Sequence, residues 1–167
     1  MSVVMKRNSV REFKQDIISQ EKIESLLKAG MQAPSANNQQ PWNYIVVTDR
    51  ALLDKLSEMS HGSWPLATAP LAIIPVMIQT EKSPQMRVQD MAASTQNILL
   101  QAVHENLGGV WIGVTPIEDR IKFIKNLFHM DKEETPFCII ALGVPNKKRD
   151  LVDRYDETRV HYNEWKK

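Results

Sequence analysis

The chain has 167 residues and a mass of 19.1 kDa, a size at which folding can bury roughly 70% of the extended chain's surface. Hydrophobic residues make up 43% and charged residues 25%, which excludes a disordered, collagen-like or coiled-coil chain. The net charge of +1 is too small for general attraction to nucleic acid or an anionic membrane, and the single cysteine excludes a disulfide framework and a Cys-ligated zinc site.

Neither a leader nor a membrane helix is predicted. The first residues lack the apolar run of a signal peptide. The longest apolar stretch, 66–78, is interrupted by Thr68 and two prolines and is shorter than the roughly 20 residues of a membrane helix. We therefore expect one cytoplasmic domain over residues 1–167, with 146–167 as an extended C-terminal tail.

The first half of the chain predicts two helices and two strands. Apolar residues with helical spacing follow Ser19, a plausible N-cap. β-branched residues predict a strand over 43–48, and Asp49 then caps a short helix. A second strand is predicted within 71–78. Because Pro75 removes one ladder hydrogen bond, we expect that strand at a sheet edge or with a bulge.

The second half predicts a long helix over about 86–107, a strand over 109–114 and a buried strand over 136–143. Between them, residues 115–118 read TPIE, which predicts a capped helix start with Thr115 as the N-cap. About four strands and four or five helices indicate an α+β or α/β sheet flanked by helices, and not a bundle.

Common catalytic motifs are absent from the sequence. It contains no GxGxxG, GxxxxGK[ST], HExxH or GxSxG pattern, and its four histidines lie far apart. We therefore predict no metal site and turn to clusters of polar residues.

The first cluster is RNSVREF, residues 7–13. Arg7 and Arg11 are four residues apart and would lie on one side of a helical turn, with the Ser9 hydroxyl between them. Guanidinium groups bind phosphate oxygens in pairs, so this arrangement would form a phosphate site. The alternative is a solvated surface on which Arg11 pairs with Glu12 or Asp16.

The second cluster is PSANNQQPW, residues 34–42, in which five of nine side chains are neutral hydrogen-bonding groups. Such a loop suits the polar edge of a planar heteroaromatic ligand better than a charged group. The alternative is an ordinary turn-rich loop.

Two weaker clusters follow. Glycines bracket the apolar strand GGVWIG, residues 108–113, and would allow close approach of a flat ligand or closer packing of a helix on the strand. The tail carries the basic residues Lys147, Lys148, Arg149, Arg154 and Arg159, although such charge runs are usually solvated.

Flavin mononucleotide (FMN) fits all four clusters, and the sequence resembles the FMN-dependent nitroreductase family over nearly its whole length. Residues 7–13 resemble the family's RxSVRxF signature, and residues 34–42 resemble its PSxxNxQPW loop. Further matches occur in the family's order at QNILL, WIG, ALGVP and DETRVH, which are residues 96–100, 111–113, 141–145 and 156–161.

The resemblance implies an α+β fold with a central mixed sheet flanked by helices, assembled as an intertwined homodimer with FMN at the subunit interface. It implies that Arg7, Ser9 and Arg11 hold the phosphate and ribityl region together with a basic residue of the tail. Arg154 is the first choice for that residue, and Arg149 is the second. The ring would be lined by Pro34, Ser35, Ala36 and Asn38 from the partner subunit, its polar edge addressed by Gln40, and its face covered by Trp111, Ile112 and Gly113.

The activity implied is that of an oxidoreductase in which NADH or NADPH reduces FMN and a nitroaromatic, quinone or similar electron-poor acceptor oxidises it by a ping-pong mechanism. The connection over 79–85 is shorter than in many relatives, which indicates an open acceptor side. Cys138 is expected to be a core thiol. The alternative function is a flavin-binding carrier, sensor or interaction subunit without steady turnover.

Overall fold

The computed structural model describes residues 2–147 and 150–165. The described residues form five α-helices and a five-stranded sheet. The helices are α1 (Val3–Lys6), α2 (Gln20–Met31), α3 (Arg50–Ser57), α4 (Arg87–His104) and α5 (Glu118–Phe128). The strands are β1 (Trp42–Val47), β2 (Leu71–Met77), β3 (Gly108–Gly113), β4 (Thr135–Pro136) and β5 (Cys138–Gly143).

The sheet has the order β1-β2-β5-β3, and the short β4 pairs with β2 just before β5 begins. All pairings between these strands are antiparallel. The parallel component of the predicted mixed sheet is an isolated bridge between Ser9 and Gly109 at the outer side of β3. The predicted α+β class is confirmed.

Helices cover both faces of the sheet. Leu71 and Ile73 of β2 face a core shared with α2 and α4, whereas Ala72 and Ile74 face a second core shared with α3 and α5. Successive side chains of a strand point to opposite faces, so a strand with both faces covered carries apolar residues at every position. Every residue of β2 and β5 is buried accordingly.

Pro75 lies in an interior strand, so the predicted edge position is wrong, and the predicted irregularity is present instead. Residues 74–75 of β2 lie opposite three residues, 137–139, which is a bulge between β4 and β5. The carbonyl oxygen of Pro75 accepts a hydrogen bond from Phe137 N at 2.8 Å on this side. In any other residue the N–H at position 75 would point to this same side of β2. Because the bulge interrupts the regular hydrogen-bond ladder there, the missing N–H leaves no partner on β5 unsatisfied.

The three predicted helix caps differ in outcome. Ser19 stands at the N-cap position of α2, but its side chain makes no capping hydrogen bond. Asp49 caps α3 as predicted, accepting a hydrogen bond from Leu52 N at 2.9 Å. The Thr115 cap is wrong, because α5 begins only at Glu118 and the Thr115 hydroxyl donates to the carbonyl oxygen of Pro136 at 2.8 Å. The Thr115–Pro116 peptide bond is cis.

The two ends of the chain differ in how they pack. Residues 9–14 run extended beside the start of β3 and the end of β5, and they bury Val10 and Phe13. Residues 150–165 contain one 3₁₀ turn, Glu157–Arg159, and are mostly exposed. In the described part of the chain, no helix combines the length and the apolar character needed to cross a bilayer.

Candidate functional site

The amide-rich loop, residues 34–40, connects α2 to β1, and its inward-facing groups are fixed by hydrogen bonds to α4 and to the connection before it. Gln39 Nε2 donates to Asp90 Oδ2 at 2.6 Å and to the carbonyl oxygen of Ser83 at 2.9 Å. Asp90 Oδ1 accepts from Ala36 N at 3.0 Å. Asn37 Nδ2 donates to the Ser83 hydroxyl at 2.7 Å. These hydrogen bonds hold the loop in one conformation against α4 and the connection before it.

The outward-facing groups of this loop are the predicted ring contacts Asn38 and Gln40. Both side chains are exposed, and Gln40 Nε2 donates to Asn38 Oδ1 at 3.2 Å. Asn37, Asn38 and Gln40 have positive φ angles of 50°, 50° and 47°. Such backbone costs on the order of 1–3 kcal/mol per residue and persists only where neighbouring contacts enforce it. The hydrogen bonds of Gln39 provide that enforcement.

The other predicted loop residues lie where the loop leaves α2. Pro34 is exposed, and Ser35 and Ala36 are half-buried. The Ser35 hydroxyl accepts a hydrogen bond from Gln40 N at 3.0 Å, so it closes the loop on itself. These residues present backbone and small side chains, not charge, to the surface.

The N-terminal segment that carries Arg7, Ser9 and Arg11 is extended. The predicted helical turn is wrong, because Val10 N donates to the Gly109 carbonyl oxygen at 3.0 Å and Ser9 bridges to Gly109, which draws the segment along β3. Side chains two and four residues apart lie on the same side of an extended chain. The polar groups of this cluster are therefore spread along a line and do not converge on one helical turn.

Arg7 and Arg154 line the same cleft, of about 270 Å³, together with the acidic residue Asp153 and with apolar groups of α1 and of the tail. Arg11 instead lines a second cleft, of about 310 Å³, with Trp64 and Lys147. The second choice for the tail cation, Arg149, lies outside the described residues. The structure thus brings together Arg7 and Arg154, and it separates Arg11 from them.

The ion pair of Arg11 with Glu12 or Asp16, which is the alternative to a phosphate site, is not formed within the described residues. Glu12 lies 3.9 Å from Lys147 instead. Among the ion pairs of the described chain, none includes Arg7, Arg11 or Arg154. These three guanidinium groups remain available to an anion.

The third cluster forms the free edge of the sheet, because β3 is its last strand. On the face that carries α4, a β-carbon on Gly109 would lie 2.9 Å from Leu99 Cδ2, so the helix covers this position closely. Further along, Trp111 is 37% exposed with its ring edge-on to Phe137, and a β-carbon on Gly113 would meet nothing within 4 Å. The end of β3 therefore offers an uncovered, flat surface.

Ile112 lies between Trp111 and Gly113 but belongs to the opposite side of the sheet. Its side chain is buried in the core shared with α3 and α5. Only its backbone can contribute to the uncovered surface. Arg120 fixes the adjacent peptide group by donating from Nη1 to the Gly113 carbonyl oxygen at 2.7 Å.

The amide-rich loop and the β3 surface lie at opposite edges of the sheet in one chain. Three strand spacings of about 4.8 Å, or roughly 14 Å, separate β1 from β3. No hydrogen bond of the described residues joins the loop to β3 or to the N-terminal segment. Among the described residues of one chain, the loop and β3 are therefore not bonded to each other directly.

Burial shifts the pKa values of buried Cys138 and half-buried Tyr44. Burial raises the pKa of the Cys138 thiol to about 12, although a contact with the Thr95 hydroxyl opposes this shift. Burial also raises the pKa of the Tyr44 hydroxyl to about 12, against the effect of its 2.7 Å hydrogen bond with Ser94. Cys138 is a buried, protonated core thiol, as expected. Within the described residues, no cluster of His, Cys, Asp and Glu has the arrangement of a metal site.

Sequence reasoning missed three residues that shape the loop, namely Ser83, Asp90 and Thr80. Asp90 lies in the first turn of α4, where an acidic residue is ordinary, so its position does not indicate a buried role. Asp90 and Ser83 are nevertheless among the buried polar residues of the chain. Their partners are more than 40 residues away in sequence, so no local pattern reports them.

The fold defines an α+β protein with an antiparallel sheet between two helical layers. Beside the last strand lie arginines that form no ion pair among the described residues. The model of the nitroreductase family matches residues 4–85 and 76–144. The chain belongs to the nitroreductase family, which confirms the resemblance inferred from its motifs.

Individual relatives agree with this assignment. A provisionally named NADH dehydrogenase/NAD(P)H nitroreductase of Archaeoglobus fulgidus is 39% identical over 170 residues, covering 99% of this chain and 98% of that protein. A provisionally named NADH oxidase of Clostridium acetobutylicum has a crystal structure with a TM-score of 0.95, 44% identity and coverage of 98% and 100%. The FMN-dependent nitroreductase of Clostridium difficile R20291 has a TM-score of 0.92, 28% identity and coverage of 98% and 99%.

Proposed function

We propose that this protein is an FMN-dependent oxidoreductase that takes hydride from NADH or NADPH and reduces an electron-poor acceptor such as a nitroaromatic or a quinone. The observation that carries the proposal is the pair Arg7 and Arg154, two guanidinium groups without an ion pair among the described residues that line one cleft of a nitroreductase-family chain. The relative from Clostridium difficile, named as FMN-dependent, supports the same cofactor.

The side chains present fit FMN. A phosphate requires cationic or N–H donors, and Arg7 and Arg154 supply two guanidinium forks. A tricyclic ring requires a flat, uncovered wall, which Trp111 and the open space at Gly113 supply. The polar edge of the ring requires neutral donors and acceptors, which the exposed amides of the loop supply.

Bound FMN would supply the redox chemistry, accepting hydride from the nicotinamide and passing electrons to the acceptor. Arg7 and Arg154, with Ser9 and Arg11 further along the segment, would hold the anionic end. Each charge-assisted contact contributes about 1.5–3 kcal/mol, so several retain the cofactor without a covalent bond.

The other predicted residues would orient the ring and bound substrates. Trp111 and the backbone of Ile112 and Gly113 would limit one face. No side chain is required to transfer a proton, and Cys138 takes no part because its thiol is buried and protonated. We propose that donor and acceptor bind in turn over the same exposed face, which gives ping-pong kinetics.

We further propose that the working unit is a homodimer of single-domain chains. In one chain the loop leads into β1, and β1 and β3 lie roughly 14 Å apart across the sheet. A second copy that brought Pro34, Ser35, Ala36, Asn38 and Gln40 to this chain's β3 would complete the site. The exposed apolar groups of the tail, among them Leu151, Tyr155 and Trp165, are the kind of surface that a subunit contact buries.

Spectroscopy of the purified protein tests the function. FMN is added, excess is removed, and NADH or NADPH is then supplied without oxygen. The proposal requires retained flavin, bleaching of its visible absorption, and return of the colour when a quinone or nitroaromatic is added. Parallel lines in double-reciprocal plots would support the ping-pong scheme.

Two other outcomes are informative. A protein that retains FMN but oxidises neither NADH nor NADPH with any acceptor would be the alternative predicted from the sequence, a carrier, sensor or interaction subunit. A colourless protein that ignores added FMN would contradict both.

A further inference from the structure

Asp90 is a buried carboxylate that is bonded to the amide-rich loop. Its side chain is 5% exposed, and the ion pairs of the described residues do not include it. Its two oxygens accept hydrogen bonds from Ala36 N at 3.0 Å and from Gln39 Nε2 at 2.6 Å. Hydrogen bonds to an ionised acceptor are short and strong, and a buried carboxylate without them is costly. Asp90 and the loop therefore hold each other in place.

Asp90 also fixes which way the Gln39 amide points. Gln39 Oε1 accepts from the Thr80 hydroxyl at 2.7 Å and from Ser83 N at 3.2 Å, while Nε2 faces Asp90 and the carbonyl oxygen of Ser83. A flipped amide would place its oxygen against the carboxylate and the Ser83 carbonyl oxygen. All of these bonds are satisfied in only one orientation.

The orientation of the exposed Asn38 and Gln40 side chains depends on the hydrogen bonds of Gln39 and Ala36. Asn38 precedes Gln39 and Gln40 follows it, and both have positive φ. Asparagine tolerates this backbone better than most residues, whereas glutamine adopts it only when its surroundings enforce it. The fixed Gln39 side chain and the fixed Ala36 N–H lie on either side of Asn37 and Asn38 and provide this enforcement.

We propose that Asp90 is a positioning residue, which acts through Gln39 to hold Asn38 and Gln40 in the orientation that meets the polar edge of the flavin ring. This inference rests on the proposed function. It assigns a role in the cofactor site to a residue that does not touch the cofactor. It also explains why a carboxylate is buried at the start of α4 without a cationic partner among the described residues.

The first test is Asp90→Asn in the full-length protein, with FMN affinity measured by fluorescence quenching and the visible absorption spectrum of the bound flavin recorded. Asn has nearly the same volume as Asp, but its amide group places a donor against one of the two N–H donors. We expect FMN to bind at least tenfold more weakly and with an altered spectrum. Asp119→Asn is the matched control, because Asp119 is an exposed acid in the first turn of α5.

A double-mutant cycle separates positioning from general destabilisation. We expect Gln40→Ala to weaken FMN binding by about threefold to tenfold in the parent protein, as for the loss of one hydrogen bond. In the Asp90→Asn background the same change should have less than a twofold effect, because Gln40 is already misplaced. Equal effects in both backgrounds would overturn the proposal, whatever the loss of stability.

Gln39→Met provides a second variant if Asp90→Asn does not fold. It keeps the length of the side chain, removes the amide, and leaves Asp90 with its bond to Ala36 N. The proposal requires the same weaker binding and the same loss of the Gln40 contribution. Parent-like affinity and spectrum in Gln39→Met would overturn it. If the parent protein does not bind FMN, the proposed function itself fails. If the parent binds FMN and the variants bind it equally well, only the positioning role of Asp90 fails.

Discussion

The side chain of Val10 occupies the space above the α-carbon of Gly108. A β-carbon at Gly108 would lie 2.5 Å from Val10 Cγ2 and 2.8 Å from Val10 Cβ. Only glycine allows this approach, and it lets the N-terminal segment lie flat against β3. The segment brings Arg7 and Ser9 beside the sheet, so this contact links strand packing to the proposed phosphate site.

Gly108→Ala should release the N-terminal segment from β3. The added β-carbon would clash with Val10 at its Cβ, which cannot move without its backbone, and Val10 is buried. We therefore expect the free energy of unfolding to fall by about 1–3 kcal/mol. Chemical denaturation measures this loss. Gly62→Ala is the control, since the nearest atom to its β-carbon would be 3.9 Å away. Equal stability of the two variants would show that the segment does not depend on this contact.

Gly113→Ala should leave stability almost unchanged but weaken FMN binding. Nothing lies within 4 Å of a β-carbon there, and the residue does not have a positive φ, so the free energy of unfolding should change by less than about 0.5 kcal/mol. If the flavin ring lies against this position, the added methyl group should weaken FMN binding at least about fivefold. Titration of the apoprotein with FMN measures the effect, and unchanged affinity would move the ring away from Gly113.

Charge reversal at Arg7 should weaken FMN binding by at least about tenfold, since a charge-assisted contact to phosphate is lost and a repulsion is gained. Arg154→Glu should act similarly, and the two changes should be non-additive because both residues line one cleft. Arg11 lines a different cleft, so its reversal should combine additively with either. Lys55→Glu, on an exposed turn of α3, is the control for net charge. Riboflavin, which lacks the phosphate, should bind the parent and the variants equally.

Tyr44 should lower the free energy of unfolding as the pH rises above 10. Below pH 10 its hydroxyl is protonated in both states, so it adds no pH dependence. Above its ordinary pKa of 10.0 the unfolded chain loses the proton, whereas the folded protein keeps it until about pH 12. The free energy of unfolding should fall across this interval, by at most about 1.4 kcal/mol per pH unit.

The comparison with Tyr44→Phe isolates this contribution. Without the hydroxyl the hydrogen bond to Ser94 is lost, at a cost of about 1 kcal/mol near neutral pH. The difference in stability between the two proteins should shrink from pH 10 upward. A constant difference up to pH 12 would mean that the Tyr44 hydroxyl titrates normally in the folded state.

Elements fixed by local signals were predictable from the sequence. The helix after Ser19, the strand ending near Val47 and the cap at Asp49 all depend on residues within one or two turns of each other. The strand over residues 138–143 followed from its continuous apolar run, since both of its faces are covered by helices. Local pattern and tertiary packing agree at these positions.

Features decided by distant partners were not predictable. Thr115 has the sequence of a cap, but Pro136 lies close enough to take its hydroxyl. The segment around Ser9 has helical charge spacing, yet pairing with Gly109 makes it extended. Asp90 gave no signal because its partners lie 51 and 54 residues away. The motifs thus located the surfaces of the candidate site, and only the fold located the residues that support them.

The position of β3 at the edge of the sheet also affects how readily the purified protein aggregates on storage. Beyond Gly109 the outer side of this strand has no strand beside it among the described residues, and its Trp111 ring stands partly in solvent. Bare strand margins of this kind recruit further chains and start aggregates. A bound molecule or a neighbouring copy that covered this edge would therefore also protect the protein from aggregation at high concentration.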